Sequence, residues 1–247
     1  MVVHVGTFAM TVFRQLGPKG PAPILCVGDH ASNHVPHDID LQVHEETLQT
    51  HIAVDIGVAG MAEHCAKAHN WPAHVSTVSR LVCDMHREID DPAIVPKSSD
   101  GVEIPGNTRD VLPARIARFH MPYHTALSAL IDHVQPRLLV ALHSFTPRLA
   151  DRPEPRPWQI GLLYNQDERA ARIAIAALRE QGLCVGDNEP YSGKQLNATM
   201  DRHGEARGIP YLTVEVRQDL VSDAAGQREW SDRIAQVAQH VLGKLDR

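Results

Sequence analysis

The sequence lacks the features that would place it among nucleic-acid-binding, membrane or secreted proteins. Lysine and arginine total 24 against 30 aspartates and glutamates, and the net charge of −6 offers no basic field to phosphates or an anionic membrane. No apolar run approaches the roughly 18 residues of a transmembrane helix, and the first residues lack the basic segment and cleavage site of a secretory signal. We therefore expect a cytoplasmic protein that acts on a small molecule, not on nucleic acid or a membrane.

Cysteine is also scarce, and its spacing shows no pattern. Cys26, Cys65, Cys83 and Cys184 include no C-x-x-C pair, and three of them lie in apolar runs, where free cysteine behaves as a small hydrophobic residue. We expect all four to be reduced core residues. Histidine, by contrast, is abundant, with 16 copies. Because histidine is the commonest metal ligand, this abundance favours metal chemistry without locating it.

Length and hydrophobic periodicity predict one α/β domain. The 247 residues, 43% of them hydrophobic and 22% charged, are sufficient for one large core without a second domain. Short apolar runs alternate with helix-length segments, which predicts a single domain with a mostly parallel, mixed central sheet and helices on both faces. The predicted strands are 23–29, 73–79, 138–144, 159–165 and 211–217, the predicted helices are 44–69, 113–133, 168–181 and 227–245, and long loops are expected at 90–107 and 146–158.

Two predicted strands end in histidine. The first is followed by Asp29 and His30, and the third runs into His143 and Ser144. Ligands of open parallel sheets bind at the carboxyl ends of the strands, and catalytic zinc typically has three protein ligands and one water. The pattern favours a metal site, and the equal alternative on local sequence is that Asp29 or Ser32 caps the next element.

Two carboxylates fall in apolar surroundings. Glu215 lies between two valines of the last predicted strand, where a charge is costly unless it is paired, hydrogen-bonded or bound to metal. It is either functional or part of a buried ion pair with Arg217 or Arg87. Asp55 lies on or beside the apolar stripe of a predicted helix. Three roles are open for it: a metal ligand, a carboxylate that orients a ligand histidine, or an acid at the boundary of the stripe.

Basic and histidine residues complete the candidate set. Arg80 and Arg87 follow the second predicted strand, where their planar forks suit a substrate carboxylate, the alternative being two surface arginines. His120 and His124 lie four residues apart, which places both imidazoles on one helical face and is a spacing that can bind a metal. Without the glutamate of an H-E-x-x-H motif, they are expected to be hydrogen-bonded structural residues.

Seven short motifs occur along the chain. They are D-H-A-S-N-H-V-P (29–36), H-I-A-V-D-I-G (51–57), S-R-L-V-C-D-M-H-R (79–87), P-Y-H (122–124), L-H-S-F-T-P (142–147), N-E-P-Y-S-G (188–193) and T-V-E-V-R (213–217). In this order and spacing they resemble the N-formylglutamate amidohydrolase family, over about residues 24 to 220. The resemblance implies that residues 1–247 form one catalytic domain with a zinc-exopeptidase-like (phosphorylase/hydrolase-like) fold.

That family is in turn similar to the zinc carboxypeptidases and aspartoacylases, which use an H-x-x-E motif, a later histidine and a glutamate near the end of the domain. The similarity implies that His30 and His143 bind a divalent metal, expected to be zinc, and that Glu215 is the general base. Asn33 stands where the H-x-x-E glutamate belongs, and a neutral amide is a poorer ligand than a carboxylate. Either Asn33 or Asp55 is therefore expected to complete the metal shell.

The aspartoacylase D-x-N-R motif, which holds a substrate carboxylate, resembles residues 84–87 here, with His86 in place of asparagine. The resemblance implies that Arg87, helped by Arg80, anchors the α-carboxylate of the substrate. The histidine leaves the preferred acyl amino acid open. The other expected site residues are Arg80, which joins Glu215 as a catalytic residue, and the substrate contacts Asp84, His86, Ser144, Tyr191 and Arg217.

The resemblance implies a metal-dependent amidohydrolase that cleaves an N-formyl or other N-acyl amino acid, such as N-formylglutamate, into formate and the free amino acid. A broader N-acyl amino acid hydrolase or carboxypeptidase-like enzyme would share the metal and the base but differ in the acyl pocket. A non-catalytic relative would bind an acidic metabolite through its arginines without metal. The sequence predicts no oligomeric state.

Overall fold

The structure is a computed structural model that describes residues 11–150, 152 and 154–246. Its strands are β1 (Phe13–Leu16), β2 (Ile24–Gly28), β3 (Ala73–Ser76), β4 (Ser98–Ser99), β5 (Val102–Glu103), β6 (Leu138–Phe145), β7 (Ile160–Leu163), β8 (Val185–Asp187) and β9 (Tyr211–Arg217). Its α-helices are α1 (Val58–Ala68), α2 (Leu112–Arg115), α3 (Met121–Val134), α4 (Arg169–Glu180), α5 (Ala198–His203) and α6 (Ala224–Leu245). Within the described ranges, none of these helices has the length and apolar character needed to cross a membrane.

Seven strands form one sheet in the order β1-β3-β2-β6-β9-β7-β8. Strand β2 pairs in parallel with β3 and β6, β6 with β9, and β7 with β8, whereas β1 and β7 run antiparallel to β3 and β9. Strands β4 and β5 form a separate hairpin. The predicted mostly parallel, mixed sheet is confirmed.

Helices cover both faces of the sheet, as consecutive residues of β3 show. The ring of His74 lies 4.5 Å from that of Tyr123 in α3. On the other face, a Cβ built at Gly28 would lie 3.1 Å from a methyl carbon of Val75 and 3.3 Å from one of Val58 in α1. Because successive strand residues point to opposite faces, α1 and α3 lie on opposite sides. The central strands β2 and β6 are accordingly buried along their whole length.

The predicted helix 44–69 is wrong over its first half. Glu45–Gln49 forms a short 3₁₀ turn, and α1 begins after Gly57. Gly57 has a φ of 87°, which interrupts a right-handed helix, and a Cβ there would lie 2.3 Å from the backbone oxygen of Val221. Asp55 therefore lies in a loop, not on a helix.

The predicted helix 113–133 is continuous but not uniform. Leu112–Arg115 and Met121–Val134 are α-helical, and Ile116–His120 between them is a π-turn. Pro122 has no N–H to donate to the carbonyl four residues earlier, so the winding changes just before it.

The other predicted elements are present with small changes in their ends. The segments 73–79 and 159–165 form shorter strands than predicted. Strands β1 and β8 and the hairpin within 90–107 are not predicted, because runs of two to four residues carry little periodicity. The cysteines are free and buried as predicted, except that Cys184 is exposed.

Candidate active site

The central strands bring polar side chains to one edge of the sheet. His143 of β6 is paired in register with Glu215 of the parallel strand β9, so both side chains point to the same face. The neighbouring strand β2 ends at Gly28, directly before Asp29 and His30. Since the carboxyl ends of such strands border one crevice, the topology itself brings these groups together.

A pocket of about 300 Å³ opens at this edge. It lies at the small end of the range of ligand pockets, roughly 300–1,000 Å³, which suits a small molecule. Nine of the residues predicted for the site line it: His30, Asp55, Arg80, His86, Arg87, His143, Ser144, Tyr191 and Glu215.

The carboxylate of Asp55 lies between two imidazoles. Its Oδ2 is 3.1 Å from His30 Nδ1 and 2.9 Å from His143 Nδ1, and all three side chains are buried. Two imidazoles and one carboxylate form a donor set typical of catalytic zinc, which keeps one position for water. These residues fit a divalent metal.

The second ring nitrogen of each of these histidines faces another carboxylate. His30 Nε2 lies 2.7 Å from Asp84 Oδ1. His143 Nε2 has no hydrogen-bond partner among the described residues and lies 3.7 Å from Asp29 Oδ2. Metal-binding histidines commonly donate their other N–H to a carboxylate, which fixes the ring. The surroundings of both rings thus suit ligation through Nδ1.

A second donor group shares His143. Ligand atoms of Asp29, His86 and His143 lie within 4.8 Å of one another. However, Asp29 is not part of the pocket wall, and it accepts hydrogen bonds from Tyr123 (2.8 Å) and His86 (2.9 Å). Because a catalytic metal must be within reach of substrate, the group around Asp55, whose three members line the pocket, fits better.

Burial and charge act against each other on these groups. Burial disfavours the imidazolium of His30, but the carboxylates of Asp84 and Asp55 outweigh it and raise the pKa of His30 to about 9. Burial also opposes the charge of both carboxyls, yet His30 holds the pKa of each well below its usual range. Burial lowers the pKa of His143. Burial, supported by the charge of Asp55, raises the pKa of Glu215 to about 8, which suits proton transfer near neutral pH.

Glu215 forms no ion pair with either arginine proposed as its partner. Arg217 Nε donates to Asp219 at 2.8 Å, and Arg87 Nη1 donates to Asp91 at 3.3 Å. The Oε2 atom of Glu215 is buried and has no hydrogen-bond partner in the described part of the chain. A buried, unpartnered carboxylate oxygen is costly, which is expected of a group whose partner arrives with water or substrate.

Arg80 is held by two of the site's carboxylates. Its Nε and Nη2 donate to Asp84 Oδ2 at 3.2 and 2.9 Å, and its Nη1 donates to Asp55 Oδ1 at 3.2 Å. Burial disfavours the guanidinium charge, but these carboxylates raise the pKa of Arg80 above its ordinary value. Nearby, Arg87 Nε lies 3.8 Å from Asp84 Oδ2. Both guanidinium groups retain N–H donors for a ligand carboxylate.

Two predicted site residues are not brought to this group. Asn33 donates through its amide to Gln49 Oε1 at 3.2 Å, and Arg217 is bound to Asp219. Neither lines the pocket. The chain turns away after β2, so the amide of Asn33 points to the 3₁₀ turn, and Asp55 is the residue that approaches the histidines.

Three further predicted contacts line the pocket with their orientation fixed. Ser144 Oγ donates to the backbone oxygen of Ile56 at 2.7 Å. The Tyr191 hydroxyl accepts from Arg156 Nη1 at 3.0 Å. His86 is held through Nδ1, 2.9 Å from a carboxylate oxygen of Asp29. His120 and His124 are hydrogen-bonded, as predicted, to the backbone oxygens of Arg87 and Met85 at 3.0 and 2.9 Å.

Sequence reasoning misses two acids of the site. Asp29, considered above only as a possible cap, is fully buried against Tyr123 and His86; its position directly after an apolar strand was the available signal. Asp100 at the tip of the β4–β5 hairpin lies 3.1 Å from His51, and both residues line the pocket. No local pattern marks that contact, which arises only from the tertiary fold.

The fold and the site together define the class of this protein. It is a hydrolase whose small pocket contains a buried glutamate and a set of donor residues that fits a metal ion. The family model for N-formylglutamate amidohydrolase matches residues 22–222, and the chain belongs to that family. As a member, it is a hydrolase that acts on linear amide carbon–nitrogen bonds.

Solved structures that are similar to this chain include two that match it over nearly their whole length. The gene product Atu2144 from Agrobacterium tumefaciens has 24% sequence identity and a TM-score of 0.90, over 97% of this chain and 98% of that chain. N-formylglutamate amidohydrolase from Ralstonia eutropha JMP134 has 21% identity and a TM-score of 0.73, over 95% of this chain and 100% of that chain. At these identities the similarity shows the fold. A search among curated proteins finds no significant match.

Proposed function

We propose that this protein is a metal-dependent hydrolase of N-acyl amino acids, with N-formyl amino acids such as N-formylglutamate as its preferred substrates. The observation that carries the proposal is the convergence of three features in one pocket of about 300 Å³. They are the Asp55 donor group, two arginines, and Glu215, whose Oε2 has no hydrogen-bond partner among the described residues. The small volume favours a small acyl group. The family membership supports the amide bond as the bond that is cleaved.

His30, Asp55 and His143 are the residues that would hold the metal, with zinc expected from the donor set. When bound, a divalent metal supplies polarisation of the amide carbonyl and a lower pKa for water at the site. Asp84 holds the ring of His30 through Nε2, so the donor atoms keep their orientation before the substrate enters.

Glu215 is the proposed general base. Its free Oε2 accepts a proton from the attacking water and returns it to the nitrogen of the leaving amine. Burial and the charge of Asp55 raise the pKa of Glu215 to about 8, and a cation held by Asp55 would offset that charge and favour the ionised carboxylate that accepts the proton. Because β6 and β9 place Glu215 beside His143, the proton acceptor lies next to the donor group.

Arg87 is the proposed anchor of the substrate α-carboxylate, with Arg80 beside it. The contact between His120 and the backbone oxygen of Arg87 fixes the segment that carries this guanidinium. Anchoring the carboxylate at one end of a small pocket places the acyl nitrogen of a short substrate near Glu215. Holding the substrate in this orientation lowers the activation barrier of the hydrolysis.

The proposal is tested by formate release from a panel of N-formyl amino acids, with the N-acetyl forms of the same amino acids as matched substrates. We expect hydrolysis of the N-formyl compounds, its loss after chelation and its recovery with Zn²⁺. Equal turnover of both acyl series would indicate the broader acyl amino acid hydrolase. No turnover of any compound by a metal-loaded protein would refute the proposed reaction.

For the anchor, Arg87→Lys is expected to raise KM by roughly tenfold with a smaller change in kcat, because lysine keeps the charge but cannot form the bidentate fork. Steady-state kinetics on the best N-formyl substrate measure the effect. Arg217→Lys is the matched control, since Arg217 lies outside the pocket and should keep the wild-type KM. The reverse pattern would move the anchor to Arg217.

A further inference from the structure

Two histidines and an aspartate meet on the surface where α1 and α6 pack together. His64 Nε2 and His69 Nε2 each lie 2.8 Å from Asp232 Oδ1. The two rings face edge to plane, with centroids 5.8 Å apart. One carboxylate oxygen of α6 thus contacts two imidazoles, one from α1 and one from the residue that directly follows it.

The packing of the two helices fixes this meeting point. A Cβ built at Gly60 of α1 would fall 1.9 Å from Gln227 Oε1 of α6, so the helices are in close contact one turn before the cluster. Ser231 Oγ lies 3.3 Å from the backbone oxygen of Met61 across the same interface. His69 follows the last residue of α1, and its N–H donates to the oxygen of Cys65. The three donors therefore rest on rigid elements.

The donor chemistry suits a transition metal. Two imidazoles and a carboxylate favour Zn²⁺, Ni²⁺ or Cu²⁺ over Mg²⁺ or Ca²⁺, which prefer oxygen ligands. Ligand atoms that lie about 2.1 Å from a tetrahedral zinc ion are roughly 3.4 Å from one another. Each Nε2 now lies 2.8 Å from Asp232 Oδ1, so each would have to move about 0.6 Å away from that oxygen to admit the ion. The side chains are 21%, 21% and 49% exposed, which leaves room for a water ligand.

We propose that His64, His69 and Asp232 form a second metal site, for a divalent transition metal such as Zn²⁺, that joins α1 to α6. It is separate from the pocket, because none of the three residues lines it. Asp55 precedes the start of α1 at Val58, whereas His64 and His69 lie about 9 and 16 Å further along the helix axis. The site therefore binds its ion independently of the hydrolytic reaction.

The test is zinc stoichiometry and affinity of the full-length, tag-free protein, measured by equilibrium dialysis and elemental quantitation after chelation. Wild type is expected to bind one more Zn²⁺ per chain than His64→Gln, His69→Gln or Asp232→Asn. Each substitution should weaken zinc binding at this site at least tenfold, because even the loss of a residue that only supports a metal ligand lowers metal affinity about 10–100-fold. Hydrolysis by the zinc-loaded variants, and the melting temperature of the metal-free variants, should match those of wild type.

His240→Gln is the matched control, because it removes an exposed histidine from the same helix and should keep the wild-type zinc count. A Mg²⁺ arm should show no binding at the cluster. If the pocket binds no metal, wild type would hold one ion and the cluster variants none. This result would refute the proposed metal site in the pocket while supporting the second site, so the two proposals can fail separately. Equal zinc stoichiometry and affinity in wild type and all three variants would overturn the proposal.

Discussion

Replacing Glu215 with glutamine is expected to lower kcat by roughly 10²–10⁴-fold, the range for losing a positioned proton-transfer group, while bound metal and melting temperature stay close to wild type. Glutamine keeps the shape of the side chain but cannot accept the proton. Because Glu215 Oε2 has no hydrogen-bond partner among the described residues, the neutral amide breaks no bond to that atom. The measurement is kcat per bound metal, alongside thermal unfolding of the same preparation.

The opposite result would assign Glu215 a structural role. Breaking a buried ion pair by removing one charge typically costs about 3–5 kcal/mol. A Glu215→Gln variant that unfolds at a much lower temperature yet keeps its activity per folded molecule would therefore remove Glu215 from the mechanism. The pairing of Arg217 with Asp219, and of Arg87 with Asp91, leads us to expect the loss of activity.

The second large effect is expected from His143→Ala, which should reduce tightly bound metal by one ion per chain and abolish hydrolysis. A catalytic site with three protein ligands that loses one of them holds its metal weakly. His143 belongs to both donor groups of the pocket region, so the result does not depend on which of the two binds the ion. Elemental quantitation after dialysis gives the count.

Asn33→Ala serves as the control for His143→Ala and also separates two hypotheses. The amide of Asn33 contacts Gln49, so its removal should leave the metal count unchanged, whereas Asp55→Asn should lower it. Loss of metal in Asn33→Ala, with retention in Asp55→Asn, would show that asparagine completes the shell. Stoichiometric zinc persisting in His143→Ala would place the metal site elsewhere.

Short apolar runs were sufficient to predict the five inner strands of the sheet, β3, β2, β6, β9 and β7, because these strands are apolar and buried. Strand β6, L-L-V-A-L-H-S-F, is buried at every position, and its polar residues lie near its carboxyl end. The short edge strand β1 and the β4–β5 hairpin carry no such signal. Strand β1 is held by pairing with β3, about 60 residues away in the chain, and the two-residue strands of the hairpin are too short to show a pattern.

The site residues that lie on or directly after strands were predictable from the sequence, and those that lie in loops were less so. His30, His143 and Glu215 follow from strand ends and from a charge in an apolar strand. Asp55 stayed ambiguous because its segment has helical periodicity, while the close approach of Val221 to Gly57 joins residues far apart in the chain and has no local signal. Asp100 reaches the pocket through the hairpin, which no spacing rule reveals.

The placement of His143 and Glu215 on adjacent hydrogen-bonded strands has a consequence for how this enzyme can be changed. Their separation is determined by the spacing of backbone strands, not by the surrounding loops. The β4–β5 hairpin and the segment around Tyr191, which line the same pocket, can be exchanged or redesigned without moving the proposed base relative to its histidine neighbour. Loop grafting at these two places is therefore the route by which substrate range can be diversified while the reaction itself is retained.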